Sequence, residues 1–99
     1  MSFRPLKLFL SGIGGSGMSA LASFMAGKGH SVIGSDRAFD GNPSHPVYSL
    51  MKAGGITVVP QDGRGIDKSL DLAVFSTAVE PDRPEVIRAQ ALGIPMKTR

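Results

Sequence analysis

A glycine-rich segment near the amino terminus places the strongest constraint on how this chain can fold. Gly12, Gly14 and Gly17 have the spacing G-x-G-x-x-G and directly follow the apolar run Leu6–Ser11. At this spacing the first glycine permits a tight turn, the second leaves room for a phosphate beside the backbone, and the third lets a helix pack closely on a strand. The amides of the first helical turn then form an anion site. The segment predicts a strand, a phosphate-binding turn and a helix.

The surrounding sequence favours this interpretation over a turn that only connects two elements. Asp36 ends the next apolar run, 19 residues after Gly17. That separation is close to the roughly 20 residues expected for an acidic side chain that binds a ribose hydroxyl. An aspartate after a strand is also a common turn residue, so both roles for Asp36 stay open at this point.

Composition excludes several classes of protein. The chain has 99 residues, no cysteine and a net charge of +3 that is spread along the sequence. This length fits one compact domain, and the lack of cysteine suits the cytoplasm. No apolar run approaches the roughly 18 residues that span a bilayer, and the first residues indicate a strand rather than a signal peptide. Scattered basic residues and isolated histidines predict no nucleic-acid, membrane or metal site.

Alternating apolar runs and helical patterns predict a three-layer α/β domain with a five-stranded parallel sheet. Right-handed crossovers give the strand order 3-2-1-4-5. We also expect a short helical turn over residues 67–70. The predicted strands are Leu6–Ser11, Ser31–Ser35, Ile56–Val59, Leu72–Ser76 and Ile94–Lys97, and the predicted helices are Ser16–Lys28, Pro46–Ala53 and one from about Pro84 to Gly93.

Each helix is expected to bury one face against the sheet. In the third helix Asp82 is the expected N-cap, and Glu85 three residues later is its expected partner in a capping box. The inward-facing residues are predicted to be Met18, Leu21, Ala22 and Met25 in the first helix, Val47, Leu50 and Met51 in the second, and Val86, Ile87, Ala89 and Leu92 in the third.

The predicted strand order brings two turns to one edge of the sheet. The sheet reverses its direction of growth between the first and fourth strands, and ligands bind at such a point, beyond the carboxyl ends of the strands. The Gly12–Gly17 loop and the turn Ser76–Ala78 both belong there. Ser76 and Thr77 are candidate hydrogen-bond donors to a nucleotide, although an ordinary turn explains them equally well. The loop Arg37–Pro46 receives no role.

In these segments the chain resembles the Mur ligases. The resemblance is carried by Phe9–Ala22, Gly29–Asp36, Ser76–Val79 and Gly93–Met96, in order along nearly the whole chain. Within the family, the double glycine followed by a small residue, glycine and methionine is most similar to the branch that adds L-alanine. The branch that recycles murein tripeptide shares much of this pattern.

The resemblance implies a Rossmann-like domain that holds the UDP moiety of UDP-N-acetylmuramate. In that family the N–H groups of residues 13–17 would bind the diphosphate, Asp36 would accept from ribose or uracil, and residues 76–78 would line the crevice. It implies no catalytic residue in this domain. The substrate-binding residues that it implies are Gly12, Ile13, Gly14, Gly15, Ser16, Gly17, Met18, Ser35, Asp36, Ser76, Thr77 and Ala78.

The family reaction belongs to peptidoglycan synthesis and joins the substrate carboxylate to an amino acid through an acyl phosphate, using ATP and magnesium. These 99 residues contain no G-x-x-x-x-G-K-[ST] phosphate loop. We therefore expect a single domain taken from a longer ligase and inactive alone, with the central ATP-binding domain and the carboxyl-terminal domain beyond Arg99.

Two other classes of protein fit the glycine spacing and Asp36. One is the NAD-binding domain of a dehydrogenase or a ligand-sensing regulatory domain of a transport system. The other is an interaction module with a vestigial nucleotide site. The double Gly14–Gly15 and the serine before Asp36 favour the Mur ligase interpretation.

Overall fold

The computed structural model describes residues 4–40, 42 and 45–99. Predictions about the side chains of Ser16 and Val47, and about the middle of the Arg37–Pro46 loop, lie outside the described residues. Within the described part, no helix is long and apolar enough to cross a membrane. The elements, in chain order, are β1 (Lys7–Ser11), α1 (Ser16–Gly27), β2 (Ser31–Ser35), α2 (Pro46–Ala53), β3 (Thr57–Val58), β4 (Leu72–Phe75), α3 (Pro84–Leu92) and β5 (Met96–Thr98).

The five strands form one parallel sheet with the order β3-β2-β1-β4-β5, so the predicted fold class and strand order are confirmed. Ser11 at the end of β1 is paired with Ser35 of β2 on one side and with Phe75 of β4 on the other. The three central strands therefore end at the same level. The segments that follow them leave the sheet at a single edge.

Side chains from the sheet pack into two cores, one on each face. Leu8 and Leu10 of β1 belong to the core that contains residues of α1 and α2, whereas Phe9 belongs to the core that contains residues of α3. This alternation follows from the two-residue period of a strand. Because both faces are buried, β1 needs apolar side chains at successive positions, as in the apolar run that predicted it.

The second core is completed by an irregular segment, residues 61–70, rather than by another helix. Ile66 of this segment is fully buried in the same cluster as Phe9. A Cβ added at Gly65 would lie 2.6 Å from Cε2 of Phe9 and 2.8 Å from Cγ2 of Val59. The absence of a side chain at this position lets the segment lie directly on the sheet.

The predicted bounds of β2 and α2 are confirmed, whereas the ends of the other elements differ from the predicted ends by one or two residues. The edge strand β3 has two residues instead of four, because it pairs only with β2. Helix α1 ends at Gly27, and Gly29 follows in the left-handed region with φ +94°. The expected helical turn over residues 67–70 is a turn rather than a helix.

The predicted capping box at the start of α3 is wrong. The N-cap of α3 is Arg83, and it makes no side-chain capping hydrogen bond. Glu85 is therefore at the second helical position, whereas a capping box needs its acidic residue at the third. The side chain of Glu85 is fully buried instead.

Two apolar side chains that were predicted to face inward are exposed. Leu50 of α2 and Ile87 of α3 are 68% and 53% exposed. Each is adjacent in sequence to a buried residue, Met51 and Val86 respectively. Successive helical residues are about 100° apart around the axis, so a short helix with one of them inward directs its neighbour toward solvent.

Candidate functional site

A cleft of about 160 Å³ lies at the carboxyl edge of the sheet. It is formed by the segments that follow β1, β2, β3 and β4, which is where parallel α/β sheets bind ligands. Its lining residues are Gly12, Gly15, Asp36, Arg37, Gln61, Ser76, Ala78 and Val79. Of the predicted site residues, Gly12, Gly15, Asp36, Ser76 and Ala78 are therefore brought together.

The glycine loop and the turn after β4 touch each other, as the predicted strand order requires. Gly12 has φ +86°, and a Cβ added there would lie only 2.7 Å from Cβ of Ser76. The amide of Ser76 donates to the carbonyl of Ser11 at 3.0 Å, which continues the pairing of β1 with β4. Gly12 thus meets both a conformational and a steric requirement, and the predicted convergence of the two turns is confirmed.

Several amides of the loop already have acceptors within the protein. The amides of Gly12 and Ile13 donate to the carbonyl of Ser35 at 2.8 and 3.0 Å, and the amide of Gly15 donates to the carbonyl of Gly12 at 3.2 Å. The first helical hydrogen bond of α1 runs from Ser19 to Gly15 at 2.8 Å. The amides of residues 16–18 come before this first donor, Ser19, and therefore have no acceptor within the helix. Of the expected donors, residues 13–17, the amides of Ser16 and Gly17 belong to this first turn of α1.

Asp36, which directly follows β2, binds the glycine loop through a hydrogen bond. Its Oδ2 accepts a hydrogen bond from the amide of Gly14 at 2.9 Å, and its Oδ1 accepts from the amide of Ala38 at 2.9 Å. A Cβ added at Gly14 would lie 2.9 Å from that Oδ2 and 3.2 Å from Cζ of Phe39. In this structure Gly14 makes room for protein atoms, rather than for a phosphate as the motif predicts.

The role predicted for Gly17 is also corrected. A Cβ added at Gly17 would meet no atom within 4 Å, so the third glycine of the motif is not needed for close packing of α1. The close approach occurs instead at Gly34 of β2, where an added Cβ would lie 2.2 Å from Cδ1 of Ile13. The loop is seated on β2 through Gly34.

Four other predicted site residues have side chains that do not line the cleft. Ile13 and Met18 are buried in the core. The hydroxyl of Ser35 is also buried, and it donates to Glu85. Thr77 is exposed, and its amide donates to the carbonyl of Arg99 at 2.9 Å. Three of these side chains are therefore buried in the protein and one is exposed to solvent. A motif specifies the position of the backbone but not the direction of each side chain.

Three lining residues are not among those that the motifs predict, namely Arg37, Gln61 and Val79. Arg37 is the cationic residue among the described residues that line the cleft. Gln61 donates from Nε2 to Oγ of Ser11 at 3.5 Å. The sequence does contain a signal for two of these residues, because both lie close to the end of a strand. Arg37 directly follows Asp36, and Gln61 follows the end of β3 by three residues. Residues just beyond strand ends belong to this edge.

A buried carboxyl group lies directly beneath the cleft. Oε1 of Glu85 accepts hydrogen bonds from the hydroxyls of Ser11 at 2.6 Å and Ser35 at 2.9 Å. Its Oε2 has no hydrogen-bond partner among the described residues. Burial raises the pKa of Glu85 above its ordinary value, and the two serine hydrogen bonds oppose that rise. The sequence signal for this buried polar cluster was that β1 and β2, whose central residues are apolar or glycine, both end in serine.

The arrangement is suited to binding rather than to a chemical step. It brings the N-cap residue of α1, Gly15, together with one guanidinium and one carboxylate at an open edge of the sheet. Within the described ranges, no group of three His, Cys, Asp or Glu residues could hold a metal ion. An anionic ligand with hydroxyl or N–H donors matches these groups.

Comparison with known proteins identifies consistent relatives. The model of the Mur ligase family, catalytic domain, matches residues 10–99. A UDP-N-acetylmuramate–L-alanine ligase from Lachnospira eligens is 39% identical over 96 residues, which cover 97% of this chain and 20% of that protein.

Two solved structures have a similar fold. A UDP-N-acetylmuramate–alanine ligase from Thermotoga maritima superposes with a TM-score of 0.81 at 30% identity, covering 95% of this chain and 21% of the other. A UDP-N-acetylmuramate:L-alanyl-gamma-D-glutamyl-meso-diaminopimelate ligase from Neisseria meningitides gives a TM-score of 0.81 at 25% identity, covering 96% and 29%. The chain spans about a fifth of the length of the curated relatives it matches.

Proposed function

The chain belongs to the Mur ligase family, and we propose that it forms the amino-terminal domain of a UDP-N-acetylmuramate–L-alanine ligase and binds the UDP moiety of UDP-N-acetylmuramate. The observation that carries the proposal is the cleft in which the glycine loop, Asp36 and the turn after β4 meet. The relatives are ligases, which removes the support for a dehydrogenase or a transport regulator.

The charges around the cleft suggest how the ligand is oriented. The diphosphate binds at the first turn of α1, where the amides of residues 16–18 and the helix dipole favour an anion. Arg37 supplies a charge-assisted hydrogen bond to the same group. Asp36 accepts from a ribose hydroxyl or from uracil, and Ser76 and Ala78 line the opposite side.

The size of the cleft limits how much of the ligand it encloses. Pockets that enclose a whole small molecule usually measure about 300–1,000 Å³. A cleft of about 160 Å³ therefore holds one part of a nucleotide sugar. We propose that the muramoyl group extends away from it toward residues outside this chain.

The ligation chemistry is proposed to lie outside these residues. They contain no G-x-x-x-x-G-K-[ST] loop for ATP phosphates. The described part also lacks a cluster of acidic or histidine side chains that could hold magnesium. These residues do not fit ATP or magnesium, so no step through either is assigned to them. We propose that the rest of the ligase supplies both in the cytoplasm, during peptidoglycan synthesis.

The proposed ligand does not depend on the branch of the family. The Lachnospira and Neisseria relatives differ in the amino acid or peptide in their names, but both names begin with UDP-N-acetylmuramate. Between the two superposed structures, the sequence identity is higher with the alanine ligase, 30% against 25%, which favours that branch.

Isothermal titration calorimetry of the 99-residue chain with UDP tests the proposal, with NAD as the comparator. We expect saturable binding of UDP and weaker or no binding of NAD. Preference for NAD, or no binding of UDP, would contradict the proposal.

A matched pair of glycine variants tests whether the ligand occupies the cleft. Gly15 has an ordinary extended conformation (φ −68°, ψ 148°), and an added Cβ would meet only the carbonyl of Gly12 at 3.5 Å. Gly15→Val therefore adds a side chain at the cleft, and its Cβ is in ordinary van der Waals contact with the protein. We expect UDP binding to weaken by about 1–3 kcal/mol, or roughly 5- to 150-fold. The control Gly27→Val, at the far end of α1, should leave the affinity unchanged.

A further inference from the structure

Glu85 occupies a position in α3 that apolar residues would normally fill. It is fully buried, and its neighbours on the inner side of α3 are Val86 and Ala89 of the second core. A carboxyl group in such a place costs stability through desolvation, and replacing buried ionic groups by well-packed apolar ones is often neutral or stabilising. A contribution to stability alone therefore does not explain why a carboxyl group is found at this buried position.

The hydrogen bonds of Glu85 connect the two strands that carry the site. Ser11 and Ser35 are register partners in β1 and β2, and their hydroxyls donate to the same oxygen, Oε1, at 2.6 and 2.9 Å. Ser11 directly precedes Gly12, the start of the glycine loop, and Ser35 directly precedes Asp36. One oxygen atom thus holds the last residue of each strand just before the chain enters the cleft.

A third contact links this cluster to the cleft wall. The single hydroxyl proton of Ser11 is donated to Glu85, so Oγ of Ser11 is left to act as an acceptor. It accepts from Nε2 of Gln61, which lines the cleft, at 3.5 Å. The carboxyl group therefore influences three segments at the cleft without lining it.

We propose that Glu85 is a positioning residue for the nucleotide site: by holding the serines that end β1 and β2, it sets the distance between the glycine loop and Asp36 that ligand binding requires. This inference rests on the proposed function of UDP binding. Binding groups need such support, because affinity depends on their placement within about 0.5 Å. The unpartnered Oε2 is the cost of placing an acceptor at this point.

The test measures UDP affinity and thermal unfolding for Glu85→Ala, Ser35→Ala and the double variant. We expect each single variant to remain folded and to bind UDP more weakly by on the order of tenfold. Because both residues act through one hydrogen bond, the double variant should bind no more weakly than Glu85→Ala alone. Fully additive losses in the double variant would overturn the proposal.

Two further variants separate positioning from a general loss of stability. Glu85→Gln keeps an acceptor oxygen for both serines and should restore the affinity to within about twofold of the original protein. Val86→Ala removes core packing from the adjacent residue of α3 and should lower the melting temperature without changing the UDP affinity. Affinity that follows melting temperature across all variants, or that is unchanged in Glu85→Ala, contradicts positioning.

The result also distinguishes this inference from the proposed function. If the unaltered chain does not bind UDP, the proposed function fails and the positioning role fails with it. If the unaltered chain binds UDP, and if the variants Glu85→Ala and Ser35→Ala bind UDP as tightly as it does, only the positioning role fails.

Discussion

At the scale of single residues, Gly12 and Gly17 belong to one motif but have different surroundings. Gly12 has φ +86° and lies against Ser76, whereas Gly17 is exposed in the first turn of α1 with open space around it. The motif spacing is the same for both, so only the three-dimensional neighbours distinguish them. Their substitution should affect stability in opposite directions.

We predict that Gly12→Ala lowers the free energy of unfolding by about 1–3 kcal/mol, because alanine is strained at positive φ and its Cβ meets Ser76. Gly17→Ala should raise it by about 0.5–1 kcal/mol, since alanine is the better helix former. Urea denaturation of both variants measures these changes. If Gly17→Ala is instead less stable than the original protein, Gly17 does have the close-packing role that the motif predicts.

The burial of the Glu85 carboxyl group leads to a second prediction, on how the free energy of unfolding depends on pH. Its folded-state pKa is raised by burial, so the folded state holds the proton more tightly than the unfolded state does. Its contribution to stability is therefore complete below its ordinary value near 4.5 and is lost as pH rises through the raised pKa. Asp62 and Asp67 have lowered pKa values and act in the opposite direction.

Comparison with Glu85→Gln isolates this effect, because glutamine does not titrate and both aspartates remain. The free energy of unfolding of the original protein minus that of the variant should fall as pH rises from 4 through the raised pKa. Urea denaturation across that range measures the difference. A difference that is constant or that rises with pH would show that burial does not raise the pKa of Glu85.

At the scale of elements, residues 61–70 act as part of the core although they form no helix. Their mostly polar composition gave no sign of this role, because only Ile66 and Leu70 enter the core and Gly65 allows the close approach. The side chain of Ile66 is completely buried in the second core. The segment also carries Gln61 to the cleft wall.

We predict that Ile66→Ala lowers the free energy of unfolding by about 2–5 kcal/mol, as expected for a buried isoleucine. Ile87→Ala is the matched control. It removes the same atoms from a side chain that is 53% exposed, and it should cost much less. Denaturant titration of the two variants measures this contrast, and equal losses would mean that residues 61–70 are not part of the core.

The sequence predicted those features of the elements that arise from local pattern. Apolar periodicity located all three helices and the central strands, because each must bury a face. It located the start of α3 at Pro84 but assigned the wrong N-cap, since the N-cap is Arg83 instead of Asp82. It also assigned Leu50 and Ile87 to the core, because inward direction in a short helix is decided by neighbouring elements.

At the scale of the whole molecule, the strand order could be derived from the sequence, but the contents of the cleft could not. Right-handed crossovers leave few orders for five alternating strands, and the order brings Gly12 and Ser76 together. Arg37, Gln61 and the cluster around Glu85 depend on how loops fold back over the sheet edge. No local pattern specifies that folding.

The most direct test of the account is a UDP titration of the isotopically labelled chain, followed by backbone amide NMR. We expect saturable shifts at the carboxyl edge of the sheet, including Gly12, Gly15 and Ser76, and no such response to NAD. Shifts confined to the opposite edge, at turns such as Gly55 and Gly93, or no saturable response to UDP, would contradict it.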